Sequence, residues 1–337
     1  MTPNGAEAAG PEERALHERA AAWPDLPSVS DLTVAALQGI TRRHGVDFAT
    51  ALLFDRFQKS PARAAFIRRI DTLRSSPATA PVRLDARLVI VPGALYIERP
   101  ELGADGRLVR ELAARQGLES DLIPVASFGS LAHNAGIIST WLEQHSGERL
   151  ILVSLSKGGA DIKRALAAPD AREVFRNVMA WVNVGGVLNG SLMANWVLAS
   201  RARTWFFRWK FKRQQRDFQF ITDLQRGPGQ PLDFPVSLPP SLKLLSLVGF
   251  PLQRHMTTCF SRFCHRTLTT QGPNDGTTSL VDVLAWPGEI YPVWGADHYF
   301  RPVNRARELI AAVLQYLREL PSAVPATPHF SPTARIV

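Results

Sequence analysis

Short apolar runs alternating with amphipathic stretches constrain this chain more than any other feature. Arg87–Val91 (RLVIV), Leu150–Val153 (LILV), Val178–Val184, Lys243–Val248 and Glu289–Trp294 are too short for buried helices, and turn residues such as Pro92-Gly93 bound them. Leu122–Ala126 reads as a further strand. Among these runs, Leu108–Ala114, Ile137–Leu142 and Gly158–Leu166 carry helical spacing, and Val303–Leu320 closes the pattern as a last amphipathic helix. Continuous apolar strands need cover on both faces, which crossover helices supply. The expected architecture is therefore α/β, a mostly parallel central sheet flanked by helices.

Two regions stand outside this rhythm. Residues 1–80 are expected to form a loose arm rich in Ala, Pro, Glu and Gly, then a helical extension over Val34–Leu73, where Phe48, Leu52, Leu53 and Phe57 share one face. The extension could pack on the sheet, form a second cap or mediate dimerisation. Residues 191–240 have no clear strand and end in a proline-rich connection, so they read as a lid or cap inserted between two parts of the core, 81–190 and 241–320. The tail, 321–337, holds four prolines and reads as disordered.

The informative stretch is Ile151–Asp161, ILVSLSKGGAD, where a strand runs straight into a serine and then a helix. A nucleophile on such a sharp turn needs small residues two before and two after it, here Ser154 and Gly158. The usual pattern is G-x-S-x-G, and Ser154 replaces its first glycine. Ser156 is the candidate nucleophile, and the competing reading is a serine that caps the following helix. A hydroxyl needs a neighbouring base, and His298 stands directly after the last apolar strand in VWGADHYF. The other histidines fall in helices, variable loops or outside the sheet. Asp275, in the tight turn GPNDGTTS, is the candidate acid that would orient the imidazole, with Asp282 as runner-up and Asp297 expected to face elsewhere. The oxyanion donors expected are the backbone N–H of Lys157 and that of Ala94 or Leu95, after the close-approach residue Gly93. The Lys157 side chain should point away from Ser156.

Together, VIVPGALY (89–96), VSLSKGG (153–159), VNVGGVLNGS (182–191), GPNDGTTS (272–279) and GADH (295–298) resemble the α/β-hydrolase superfamily, in its lipase- and esterase-like branch. The third segment is similar to the lipase "GxPHxGS" strand end, with Val187-Leu188 in place of Pro-His. The resemblance spans about residues 82–320 and leaves the first eighty unexplained. It implies hydrolysis of an acyl ester through an acyl-enzyme intermediate, without cofactor or metal. Acyl transfer, thioester hydrolysis and a non-catalytic binding scaffold are the alternatives.

The net charge is +9, and Arg201–Arg216 concentrates seven basic residues and five aromatics with no acid. Such a segment suits a lid over an acyl pocket, an anionic membrane surface or an anionic substrate. Its spacing fits a strand and a helix equally. No nucleic-acid-binding pattern accompanies the charge, so no nucleic acid partner is expected. Cys259 and Cys264, with only His265 beside them, fall short of a zinc-ligand set and read as thiols. With no secretory pattern at residues 1–10, the expected setting is cytoplasmic, peripheral at a membrane if the basic segment docks there. Oligomeric state is left open.

Overall fold

The computed structural model describes residues 10–75, 84–301 and 303–320, without the side chains of 303–305. The tail expected to be disordered lies outside the described residues. Four helices come first: α1 (Pro11–Ala21), α2 (Val34–His44), α3 (Val46–Gln58) and α4 (Pro61–Ser75). The sheet then begins with β1 (Arg87–Val91), α5 (Arg107–Arg115), β2 (Ser120–Leu122), α6 (Leu131–Gln144) and β3 (Leu150–Leu155). It continues through α7 (Lys157–Leu166), α8 (Ala171–Val174) and β4 (Val178–Val184). Helices α9 (Leu192–Leu198), α10 (Arg201–Arg213) and α11 (Gln219–Asp223) follow before β5 (Lys243–Phe250). The chain ends with α12 (Cys259–Leu268), β6 (Glu289–Trp294) and α13 (Val303–Glu319).

Among the described residues the sheet has six strands, all parallel, in the order β2-β1-β3-β4-β5-β6. The expected α/β class holds, and the parallel sheet is buried as such sheets must be: every residue of β4 and nearly all of β3 and β5 are shielded from water. From β1 the chain moves outward to β2, then returns to place β3 on the other side of β1. The carboxyl ends of β1 and β3 therefore flank the point where strand order reverses, the crevice in which open α/β sheets bind ligands.

Two expectations need correction, and one question left open is answered. The second strand is Ser120–Leu122, not Leu122–Ala126: Ile123 N–H makes the last bond, to the Ile90 carbonyl at 2.9 Å, and Pro124 has no N–H to continue the ladder. The arm is not loose over Pro11–Ala21, which is a helix packed on α3. Its anchor is Arg56, buried in α3, whose guanidinium donates to the carbonyls of Leu26 (2.8 Å), Ala20 (3.1 Å) and Trp23 (2.7 Å). Arg201–Arg213, whose spacing fits a strand and a helix equally, is a helix, with the Ser200 hydroxyl accepting the Arg203 N–H at its start.

The helical extension packs on the β5–β6 side of the sheet. Phe54 and Phe57 meet Phe250 edge-on or tilted, and Phe54 also meets Trp294. Farther along the same strand, the Tyr291 hydroxyl donates to Asp71 of α4 at 2.6 Å. From α1, Glu13 accepts the Trp294 indole N–H at 2.9 Å and lies 2.8 Å from His255 Nε2. The segment between β4 and β5 has a small core of its own, in which Val197, Phe211, Ile221 and Leu232 pack against Leu131 and Val187. Lys163, buried in α7, fastens it by donating to the carbonyls of Leu188 (2.8 Å) and Leu232 (2.9 Å).

Candidate active site

Strand β3 delivers Ser156 at its carboxyl end in a backbone conformation that a residue with a side chain seldom adopts, φ 48° and ψ −114°. The turn is held on both sides. Ser156 N–H donates to Val184 O at 3.0 Å, and Ser156 O accepts from Gly159 (3.1 Å) and Val187 (3.2 Å). The space around it dictates small neighbours. A Cβ on Gly158 would lie 2.3 Å from the Val91 carbonyl oxygen, and one on Gly93 would lie 3.3 Å from the Ser156 Cβ. Ser154 fits where a glycine is usual because its hydroxyl enters a buried polar chain: it accepts the Trp181 indole N–H (2.8 Å) and donates to Asn183 Oδ1 (3.1 Å).

The Ser156 hydroxyl does not cap α7. It lies 2.8 Å from Nε2 of His298, and Nδ1 of that ring lies 2.8 Å from Oδ2 of Asp275. The other carboxylate oxygen of Asp275 accepts the N–H groups of Thr277 (2.8 Å) and Thr278 (2.7 Å), so the tight turn fixes the acid before the histidine meets it. Sequence position thus brings Ser156, His298 and Asp275 into one hydrogen-bonded line. Asp282 is elsewhere engaged, in a two-point pair with Arg226 (2.8 and 2.6 Å). Asp297 accepts the backbone N–H groups of Tyr299 and Arg301. Lys157 turns its ammonium into a buried pair with Asp161, at 2.6 and 2.8 Å, away from Ser156.

Burial alone would disfavour the charged form of both titratable partners, and their proximity reverses this. For His298, desolvation is outweighed by the Asp275 carboxylate, the hydrogen bond to it and the nearby Asp297, so the imidazole pKa is raised above its ordinary 6.5. For Asp275, desolvation yields to His298 and the two backbone donors, and the carboxyl is held below its usual range. Such a pair keeps a base next to the serine with its tautomer fixed by Nδ1–H···Oδ2. The neighbouring thiol of Cys264 is different: burial, then the charge of Asp275, pushes it up to about 12, so it stays protonated.

Of the expected oxyanion donors, Leu95 is already committed, its N–H bonded to Ser127 Oγ at 2.8 Å. Among the described residues, the N–H groups of Ala94 and Lys157 have no acceptor, and Lys157 is the first residue of α7, where helix geometry provides none. Ser156 and His298 open into a cavity of about 740 Å³ walled by apolar side chains, among them Met193, Val197, Phe207, Ile221 and Leu224. Its mouth is rimmed by Phe206 of α10 and by Phe260 and Phe263 of α12. The α12 aromatics were not singled out from the sequence. Their exposure has no local signature, although Cys259–Leu268, like Arg201–Arg213, carries no acid. Among the described residues, no group of three or more His, Cys, Asp or Glu side chains could hold a metal ion, and Cys259 and Cys264 are free thiols.

No protein-family profile matches the sequence, and no curated protein matches it. Solved structures do. A metagenomic carboxyl esterase superposes over 73% of this chain and 79% of its own, with TM-score 0.57 and 22% identity. The propeptide form of a Bacillus licheniformis lipase superposes over 75% of this chain and 54% of its own, with TM-score 0.51 and 20% identity. At such identities the likeness bears on architecture, and with the strand order, the strained turn after β3 and the crevice beside it, it gives the chain the α/β-hydrolase fold.

Proposed function

We propose that this protein is a serine hydrolase that cleaves carboxylic esters through an acyl-enzyme on Ser156. The observation that carries this reading is the line Ser156–His298–Asp275, at 2.8 Å per step, at the wall of an apolar cavity. Ser156 Oγ attacks the ester carbonyl carbon while His298 Nε2 takes its proton. The carbonyl oxygen, now an anion, is held by the N–H groups of Ala94 and Lys157. His298 then returns the proton to the departing alcohol, and water repeats the sequence to release the acid. Asp275 remains a carboxylate throughout, fixing the ring and stabilising the imidazolium. The apolar walls suit an acyl chain of moderate length.

Residues 191–240 act in this reading as a lid. The same segment supports contact with an anionic membrane surface: Trp205 is 70% exposed and Phe206 and Trp209 are about half exposed, on a helix whose charged residues are all basic. Among the described residues, no helix is long and apolar enough to cross a membrane, so this contact would be peripheral. A reducing, cytoplasmic setting suits the two free thiols.

The deciding experiment is labelling with a fluorophosphonate probe followed by peptide mapping. Label on Ser156 that disappears in Ser156→Ala and weakens in His298→Ala is the expected result. Folded protein that takes no label would sink the hydrolase reading in favour of a binding role. With labelling in hand, product analysis with water and alcohol as competing acceptors separates hydrolysis from acyl transfer.

A further inference from the structure

The turn that carries Ala94 is held by side chains that no hydrolytic step uses. Leu95 has φ 68°, a left-handed conformation unusual for a branched residue. Its N–H is fixed by Ser127 Oγ, and that hydroxyl in turn donates to Glu98 Oε2 at 2.7 Å. Ser127 is buried, so the donor and acceptor it offers are directed inward rather than to water. The second oxygen of Glu98 lies 3.9 Å from the guanidinium of Arg216. Arg216 ends the basic segment, with its N–H bonded to Phe211 O at 2.9 Å, and its guanidinium lies 4.0 Å from the ring of Phe128, the residue next to Ser127.

We infer that Ser127 and Glu98 are positioning residues that hold the Ala94–Leu95 turn in the conformation needed to receive an oxyanion, and that Arg216 makes this turn answer to the placement of the 201–216 segment. The inference rests on the proposed serine hydrolysis. A strained turn persists only where its surroundings over-determine it. Here, beside the Tyr96 hydroxyl on Val125 O and the backbone bonds of Gly93 and Leu95, the restraints include a relay of three side chains from three separate loops. Displacing the segment removes the Arg216 cation from Glu98 and from Phe128 together. The Ser127 hydroxyl then loses its fixed acceptor, and the Leu95 peptide loses its fixed partner. Oxyanion stabilisation depends on donors already in place, so relaxation of this turn lowers the rate of the chemical step more than it weakens substrate binding. Departure of the segment and loss of a competent site thus become one event.

The test uses the full chain and a water-soluble short-chain ester, on which membrane contact has no bearing. Wild-type protein is first shown to label at Ser156. Failure there overturns the hydrolase reading itself, separately from the relay. Ser127→Ala is then expected to lower kcat by roughly tenfold to a hundredfold with KM changed by less than about threefold. Glu98→Ala, at an exposed position, should shift the same parameter in the same direction and serves in place of Ser127→Ala should that variant not fold. Arg216→Ala should lower kcat by about threefold or more, and combining it with Ser127→Ala should add nothing further. Wild-type kcat in Ser127→Ala or Glu98→Ala, a loss expressed in KM alone, or independent multiplication of the Ser127 and Arg216 effects would each overturn the inference.

Discussion

A Cβ placed on Gly158 would sit 2.3 Å from the carbonyl oxygen of Val91, so the helix after the serine touches the backbone of the first strand with no side chain between them. Contact this close sets the distance between the turn bearing Ser156 and the turn bearing Ala94. Gly158→Ala should therefore destabilise the protein by about 2–3 kcal/mol, read as a lowered Tm, and abolish labelling of Ser156. Gly93→Ala faces a gentler obstacle, 3.0 Å from Leu155 O, and should cost activity while largely sparing Tm. Equal Tm losses in the two variants would contradict this account.

The electrostatics of His298 fix the direction of the pH profile. In the proposed mechanism the neutral ring is the active base, and its pKa is raised above 6.5 because Asp275 and Asp297 outweigh burial. The rising limb of kcat/KM should accordingly have its midpoint above pH 6.5. In Asp275→Asn the opposing charge is gone and burial pulls that midpoint down. A wild-type midpoint at or below 6.5 would refute the argument.

Asp275 and Asp282 are seven residues apart and should behave oppositely. Asp275→Asn should reduce kcat by about 10³- to 10⁴-fold with little change in Tm, since the imidazole loses the acceptor that fixes its tautomer. Asp282→Asn breaks the pair with Arg226, whose backbone N–H and carbonyl are both held by Asn195 of α9. Its effect should appear as a lower Tm with kcat within about threefold of wild type.

Lys163 tests how the inserted segment is fastened. Its ammonium is buried by α7 and donates to Leu188 O and Leu232 O, at the two ends of that segment, and burial lowers its pKa to about 8. Lys163→Met keeps the volume and removes both bonds. Limited proteolysis should then cut between residues 191 and 240 faster than in wild type, with the sheet intact. Unchanged cleavage there would show that the small core around Phe211 and Leu232 suffices.

Membrane contact is checked by co-sedimentation with vesicles. Binding to vesicles containing phosphatidylserine should exceed binding to neutral phosphatidylcholine, fall with added salt and drop by about tenfold or more in the double variant Trp205→Ala/Trp209→Ala. Equal binding of wild type and variant would remove α10 from the interface.

The legible parts of the sequence were those governed by local burial. β1, β4 and β6 are legible to the residue because both faces of each are covered and Pro92-Gly93, Gly185-Gly186 and Gly295 close the apolar runs. β2 was displaced because Ser120 and Asp121 are only half covered, at the edge of the sheet. In α10 only Phe211 is buried, so no apolar stripe distinguishes helix from strand. Ser156, Asp275 and His298 were legible because each follows or sits in a turn of recognisable chemistry, in a fixed order along the chain. Ser127, Glu98 and Arg216 carry no such signal. Their meaning comes from contacts across 29 residues or more, which no spacing in the sequence encodes.

The packing of the helical extension bears on how small this protein could become. Trp294 is held by Glu13 and Phe54, and four residues later the chain presents His298. Phe250, the ladder partner of Trp294, rests on Phe54 and Phe57. Cutting the first eighty residues away would not yield a minimal catalyst. It would strip the aromatic floor from beneath the loop that carries His298 and leave that floor's partners facing water. In this architecture the amino-terminal helices and the last strand form one packed unit, and the strand cannot be kept without the helices that cover it.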